Sequence, residues 1–570
     1  MMTMNEPINW WKKSVVYQVY PKSFNDSDGD GIGDLNGITE KLDYIKELGA
    51  DIIWLNPIYD SPHVDNGYDI ANYRKIDSSL GNMSDFDRLL HLAHKKGLKI
   101  MLDLVVNHTS DQHPWFKKSE ESKENSYHDY YIWKDPVDGH EPNNWGSSFG
   151  GSTWEYVEAV DQYYLHLFAK QQPDLNWENS NVRKEVHDIM RFWLDKGIDG
   201  FRMDVINLIS KKPGFPDGPI VQNKKFGDYY YGAANGPKVH EYLKEMNQDV
   251  LSKYDIVTVG ETPHTNVEEA VKYVDNRRHE LDMVFHFDHM HLDYGKYGKF
   301  STKRFKLADL KAVLSKWQIE ISNHHGWNSL YWSNHDQARA VSRFGDDGEH
   351  RVASAKMLGT LLHMMQGTPY VYEGEEIGMT NLHNTQIADY NDLETLDVYH
   401  RFRNDYHLSE EDTMKAIHTK SRDNARTPMQ WDDSNNAGFS TSNSTWLKVN
   451  SNFKKINVKQ SKSDSNSIFY YYQKLIKLRH EYQIVTTGSY QLLDKENSDI
   501  FSYARVGDNT TLLVICNFAK KKVDYLVPLE LRHMQHELLI SNGKKDDWNV
   551  AGNINLEPYA ARVYLIKTAN

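Results

Sequence analysis

Residues 182–207 read VRKEVHDIMRFWLDKGIDGFRMDVIN, and this stretch decides the architecture. Val182, Val186, Ile189, Trp193 and Leu194 recur at helical spacing. Gly197 then stops the helix, and the short run Gly200 to Asp204 reads as a strand ending on an acid. Helix, glycine, buried strand and terminal carboxylate make one unit of a parallel α/β fold.

Working outward, the same unit returns. Ser14 to Tyr20 (SVVYQVY) reads as a strand, and Leu35, Ile38, Leu42, Ile45 and Leu48 keep helical spacing up to Gly49. Asp51 to Leu55 is the next strand; Ser84 with Asp87 resembles a capping pair opening a helix through Lys96, which Gly97 ends. Lys99 to Val106 (KIMLDLVV) follows, and a helix with Val239, Leu243, Met246 and Val250 leads to strand Ile256 to Val259. Met283 to Phe287, Ser329 to Trp332 and Pro369 to Tyr372 bring the strands to eight. The predicted fold class is α/β, a (β/α)8 TIM barrel.

Three segments depart from that rhythm. The barrel's first part spans 1–108, and 109–174 reads as a loop-rich inserted domain after the third strand. The barrel resumes over 175–483 with an excursion at about 373–431, and 484–570 shows the alternation of a C-terminal antiparallel β domain. Lys459 to Ser467 (KQSKSDSNS) reads as a surface loop.

Bulk properties exclude several partners. The chain has 570 residues, 39% hydrophobic and 26% charged, an ordinary globular balance. A net charge of −14 argues against nucleic acid. No run approaches the ~20 apolar residues of a membrane span. The start lacks the pattern of a secretory signal, and the single Cys516 forbids an internal disulfide, so a cytoplasmic location is expected. Nothing in the composition speaks to oligomeric state.

The chemistry gathers just past the carboxyl ends of the strands, where the βα loops of a barrel build active sites. Asp103 and His108 follow the third strand, Arg202 and Asp204 the fourth, Glu261 the fifth, and His335 and Asp336 the seventh. One Asp after a strand is commonly a helix cap; acids and histidines at the same end of four strands are not so explained. Cleaving a glycosidic bond requires one carboxylate to attack and one carboxylic acid to protonate the leaving oxygen. Arg202 points to the same side of its strand as Asp204, so its guanidinium should keep Asp204 ionised. Glu261 should hold its proton because Asp204 and Asp336 are near.

DLVVNH (103–108), GFRMDVIN (200–207), VGET (259–262) and NHD (334–336) resemble the four ordered sequence regions of the α-amylase superfamily. QPDLN (172–176) resembles the signature of its oligo-1,6-glucosidase branch, and the similarity runs essentially the full length. The resemblance implies a retaining, exo-acting α-glucosidase with Asp204 as nucleophile, Glu261 as general acid/base and Asp336 as a third carboxylate. It implies that His108 and His335 bind the same glucose, and that Asp65 and Tyr68, in DNGYD, supply a pocket acid and a stacking ring. Arg422, in SRDNARTPMQW, matches an arginine that works with Asp65 on the non-reducing 4-hydroxyl. Val205, after the nucleophile, accompanies α-1,6 preference in that branch. The implied substrates are isomaltose, isomalto-oligosaccharides and panose, with no organic cofactor.

Asp26, Asp28, Asp30 and Asp34 alternate with small residues in a pattern of hard oxygen donors that suits Ca²⁺, though Gly37 stands where an EF-hand needs its last Glu. The loop resembles the family's structural calcium loop, which adds the Ile32 carbonyl. Two positions depart from the branch: Glu373 stands where Gln is usual, and Ala338 where Pro is usual. An α-1,4-glucosidase, a trehalose-6-phosphate hydrolase or a sucrose isomerase could share the scaffold. Against the last two, Phe287 to Lys299 lacks the arginine-rich motif of sucrose isomerases, and VGETP differs from the VGEMS of the phosphate-specific hydrolases. A non-catalytic transporter-accessory homologue is disfavoured because all three acids are present.

Overall fold

The computed structural model describes residues 9–221, 225–383, 385–543 and 548–567; the ends of the first and last expected domains lie outside the described residues. Its centre is an all-parallel sheet of eight strands: β1 (Val16–Val19), β2 (Ile52–Leu55), β3 (Lys99–Val105), β4 (Gly200–Asp204), β5 (Val257–Glu261), β6 (Met283–Phe285), β7 (Ser329–Tyr331) and β8 (Thr368–Tyr372). The strand order β6-β5-β4-β3-β2-β1-β8-β7 is sequential around a barrel. At the β6–β7 seam side chains make the join: Ser329 Oγ donates to the Val284 carbonyl at 2.7 Å, and Tyr331 Oη to that of His286 at 2.7 Å.

The strands are apolar on both faces, as parallel strands between two packed layers must be. Val16, Ile52, Trp54, Met101, Val257, Val259, Met283, Phe285 and Tyr370 fill the interior. Trp54 stacks on Phe285 at 5.7 Å, and Phe285 meets Tyr370 edge-on at 4.6 Å. The other face packs on the helices. The helix Ser180–Lys196 starts where the Asn179 side chain accepts from the Asn181 N–H, buries Val182, Val186, Ile189, Trp193 and Leu194, and ends at Gly197. Gly197 has φ 102°, a left-handed conformation that glycine reaches without Cβ strain.

Three local expectations are corrected. Residues 35–48 form two helices, Leu35–Glu40 and Leu42–Leu48, because Lys41 has ψ 6° and turns the chain while the apolar face continues. The capping pair of the helix Met83–Lys95 is Asn82 with Asp85, not Ser84 with Asp87. Asn82 accepts from the Ser84 and Asp85 N–H groups, and Asp85 takes the Asn82 N–H in return. The polar run after Asn457 begins as a helix, Val458–Ser463, since the Asn457 side chain accepts from the Gln460 N–H; only its end is a loop.

Between β3 and β4, Trp133–Lys134, Gln162–Leu165 and Trp154–Val157 form a small antiparallel sheet. After β8 the helices Leu393–Asn404 and Glu410–Lys420 carry the chain out and return Arg422 to the barrel mouth. Toward the C-terminus, Ser489–Leu493, Ile500–Val506, Thr510–Asn517, Ala561–Lys567 and His536–Ser541 make a five-stranded antiparallel sheet.

Candidate active site

Strand register builds the site. Arg202 on β4 lies opposite Asp103 on β3 and Val259 on β5, two residues before Asp204 and Glu261. Side chains two apart share a face, so Arg202, Asp204 and Glu261 all project toward the barrel mouth. Arg202, 1% exposed, donates from Nη1 to Asp103 Oδ1 (2.6 Å) and Asp204 Oδ1 (2.7 Å), and from Nη2 to Glu261 Oε2 (2.6 Å). One guanidinium therefore holds both predicted catalytic carboxyls side by side.

Burial sets their protonation. It pushes Glu261 up to about 8 against the pull of Arg202, with Asp204 and Asp336 raising it further. It also pushes Asp204 up to about 7, again against Arg202. Against the expectation that Arg202 would keep Asp204 ionised, desolvation outweighs the pull of the guanidinium and brings the acid near neutrality. With both values near neutrality, the two acids titrate as a coupled pair that shares one proton in that range. Asp336 differs from both. It is held well below the usual carboxylate range despite burial, by His335, Arg422 and Arg426. Arg422 Nη1 donates to its Oδ1 at 3.1 Å and Arg426 Nη2 at 2.8 Å.

The remaining residues complete a closed wall. Tyr68 stacks flat on His335, 5.2 Å between rings, and donates its hydroxyl to Asp103 Oδ2 at 3.1 Å. Burial lowers His335 to about 4, so the ring is neutral at ordinary pH. The Gln18 amide donates to its Nδ1 at 2.9 Å, which leaves the proton on Nε2, 3.1 Å from Asp336 Oδ2. His108, also lowered to about 4 by burial, turns Nε2 toward the Tyr68 carbonyl at 3.1 Å. Arg422 Nη2 reaches Asp65 Oδ1 at 3.2 Å, the contact expected for a pocket closed at its far end. Burial raises Asp65 to about 6.

Val205 has an unusual backbone. Its φ of 35° and ψ of 40° place a β-branched residue in the left-handed region, where strain is expected. In that conformation its N–H donates to Glu261 Oε2 at 3.1 Å. Its side chain packs in a cluster with Trp145 and Leu167 of the insertion and with Tyr229.

Several neighbours went unread in the sequence. Arg426 sits one helical turn after Arg422, in the same quoted motif. Gln172, in QPDLN, donates to Asp65 Oδ2 at 3.2 Å. Asp392 accepts from Arg422 Nε at 2.7 Å, and the Phe149 ring lies 5.1 Å from the Arg422 guanidinium. Those last two come from irregular loops, where no motif announces them.

In the Asp26–Asp34 loop, Asp26, Asp28 and Asp34 each bring a carboxylate oxygen within 4.8 Å of the others. Asp26 accepts the Asp28, Gly29 and Gly31 N–H groups, and Asp34 accepts those of Ser27 and Gly37. Asp30 stands outside that trio, its Oδ1 accepting the Ile32 N–H at 2.7 Å. Converging hard oxygens, with desolvation and then the like charge of Asp30, Asp34 and Asp26 raising Asp28, fit a hard divalent cation.

A parallel barrel whose strand ends present an arginine-bridged carboxyl pair and a third ionised acid defines a glycoside hydrolase site. The α-amylase catalytic-domain model matches residues 18–488, and the chain belongs to that family. It is 56% identical to the oligo-1,6-glucosidase of Parageobacillus thermoglucosidasius, over 98% of this chain and 99% of that one. It is 54% identical to the oligo-1,6-glucosidase of Bacillus cereus, over 98% and 99%. A crystal structure of Bacillus licheniformis trehalose-6-phosphate hydrolase matches with a TM-score of 0.94 at 48% identity, covering 98% of this chain and all of the other.

Proposed function

We propose that this chain is a retaining, exo-acting glucosidase that hydrolyses α-1,6 bonds of isomaltose, isomalto-oligosaccharides and panose from the non-reducing end. The observation that carries the reading is the single Arg202 guanidinium shared by Asp204 and Glu261. In the first step an Asp204 oxygen attacks the anomeric carbon while Glu261 gives its proton to the departing glycosidic oxygen. In the second, Glu261 takes a proton from water, which attacks the same carbon and releases Asp204. Asp336 stays ionised and grips sugar hydroxyls as positive charge develops on the ring. His108, His335 and Tyr68 hold the glucose, and Asp65 with Arg422 recognises its 4-hydroxyl and closes the pocket. Val205 narrows the leaving-sugar side in favour of α-1,6 linkages. The relatives named oligo-1,6-glucosidase support this linkage over the trehalose-6-phosphate reading.

Ca²⁺ would be held by Asp26, Asp28 and Asp34, joined by Asp30 and the Ile32 carbonyl, and would supply rigidity to the loop. Among the described residues no helix is long and apolar enough to cross a membrane, which is compatible with the cytoplasmic location we propose. Parallel assays on isomaltose, maltose, trehalose-6-phosphate and sucrose test the substrate reading. Isomaltose should give the highest kcat/KM; maltose cut far faster, or trehalose-6-phosphate preferred, would overturn it.

A further inference from the structure

On the barrel's outer layer of helices, two neighbouring helices bring three metal-ligating side chains together. His187 lies on the buried face of Ser180–Lys196. Glu245 and Asp249 sit four apart on Val239–Asp249, a spacing that places them on one helix face. One ligand atom from each of the three lies within 4.8 Å of the others.

The imidazole is the anomaly. His187 is 3% exposed, and its Nε2 has no hydrogen-bond partner among the described residues. Its Nδ1 stands 3.5 Å from Asp249 Oδ2, longer than the usual ~2.7–3.2 Å of a hydrogen bond. Burial lowers the His187 pKa; Glu245 and Asp249 raise it, and Arg191 and Arg183 lower it. Nδ1 is the nitrogen turned toward Asp249, and its lone pair is the one a metal would take, with the ring proton on Nε2. The 3.5 Å gap is close to the edge of a tetrahedron with ~2.1 Å bonds to zinc, about 3.4 Å.

We propose that His187, Glu245 and Asp249 bind a divalent transition-metal ion of the zinc class, stapling the two helices. One imidazole with two carboxylates selects such an ion over Ca²⁺ or Mg²⁺, which take all-oxygen sets. Arg183 orients the acid side: its Nε donates to Glu245 Oε2 at 2.7 Å while its Nη1 is anchored on the Trp177 and Glu178 carbonyls. The Glu245 and Asp249 side chains are 34% and 46% exposed, so an ion reaches the site without unfolding.

The test is calorimetric titration of the full chain with ZnCl₂ in excess CaCl₂, which occupies hard-oxygen loops, beside His187→Gln and Asp249→Asn. The expected result is one saturable site weakened at least about tenfold in each variant, with a zinc-dependent rise in Tm that His187→Gln abolishes. Turnover should be unchanged in all three proteins. Equal zinc binding by the wild type and His187→Gln, or no saturable site, overturns the proposal. If the variants fold poorly, anomalous diffraction at the zinc edge decides on the wild type: a peak among these three side chains supports the site, and its absence refutes it.

Discussion

Two clusters of buried acids sit near the carboxyl ends of the strands, and they are served differently. Asp103, Asp204, Glu261 and Asp336 are gripped by the guanidinium groups of Arg202, Arg422 and Arg426. Glu373, Glu375 and Glu376, just past β8, are served by hydroxyls and a backbone amide. Tyr17 and Tyr44 donate to Glu376 at 2.9 and 2.5 Å, Ser333 and Tyr472 to Glu375 at 2.9 and 3.1 Å, and the Tyr20 N–H to Glu373 at 2.8 Å. Arg339 is nearby but spends Nη1 on the Glu373 carbonyl. Burial raises all three glutamates, Glu375 to about 7 and Glu373 well above its usual range. Acids that share arginines are poised to exchange a proton or keep a charge. Acids that share hydroxyls are raised by burial with no guanidinium on their carboxyls, and Glu373 is held neutral.

The comparison is broken most forcefully by neutralising one acid from each cluster. Asp204→Asn should lower kcat by about 10⁴-fold or more while folding normally; residual turnover near the wild-type rate would remove Asp204 from the chemistry. The pH profile sharpens the same contrast. Rate should rise as the Asp204–Glu261 pair gives up its first proton near 7 and fall as it loses the second near 8. Those limbs belong to the coupled pair and are read from kcat/KM against pH.

Glu373→Gln should do the reverse of Asp204→Asn, sparing activity and adding stability. Glu373 stays protonated in the fold yet ionises near its ordinary value, about 4, in the unfolded chain. Its contribution is therefore undiminished below that pH and is lost as pH rises toward the folded value. Relative to wild type, the variant should gain about 1 °C in Tm at pH 7–8 for each kcal/mol relieved, and nothing near pH 4. Thermal melts across that range check it. The smallest effect on chemistry should come from Ca²⁺. Chelation should lower Tm, with Ca²⁺ restoring it, while kcat/KM on remaining folded protein stays within about twofold. No thermal shift would remove the metal from the Asp26–Asp34 loop.

What could be read ahead of the structure followed from periodicity and position. All eight strands were legible because apolar β-branched runs alternate with helical ones, and the acids were legible because they close those runs. Helix starts were less so: Asn82 competes with Ser84, and only the side chain that reaches an N–H decides. The Asp204 and Glu261 protonation levels depend on summed burial, which no local pattern records. Asp392 and Phe149 reach Arg422 through irregular loops. The neutrality of Glu373 comes from burial, which outweighs the N–H that Tyr20, distant along the chain, gives its carboxyl.

The central claim is that Asp204 bonds to the sugar while Glu261 handles the proton. The most direct measurement is mass spectrometry of the protein quenched during reaction with a fluorinated α-glucosyl fluoride that loads quickly and releases slowly. The predicted result is one hexosyl adduct on the peptide bearing Asp204. An adduct on Glu261, or none together with an inverted anomer in the product, would contradict it.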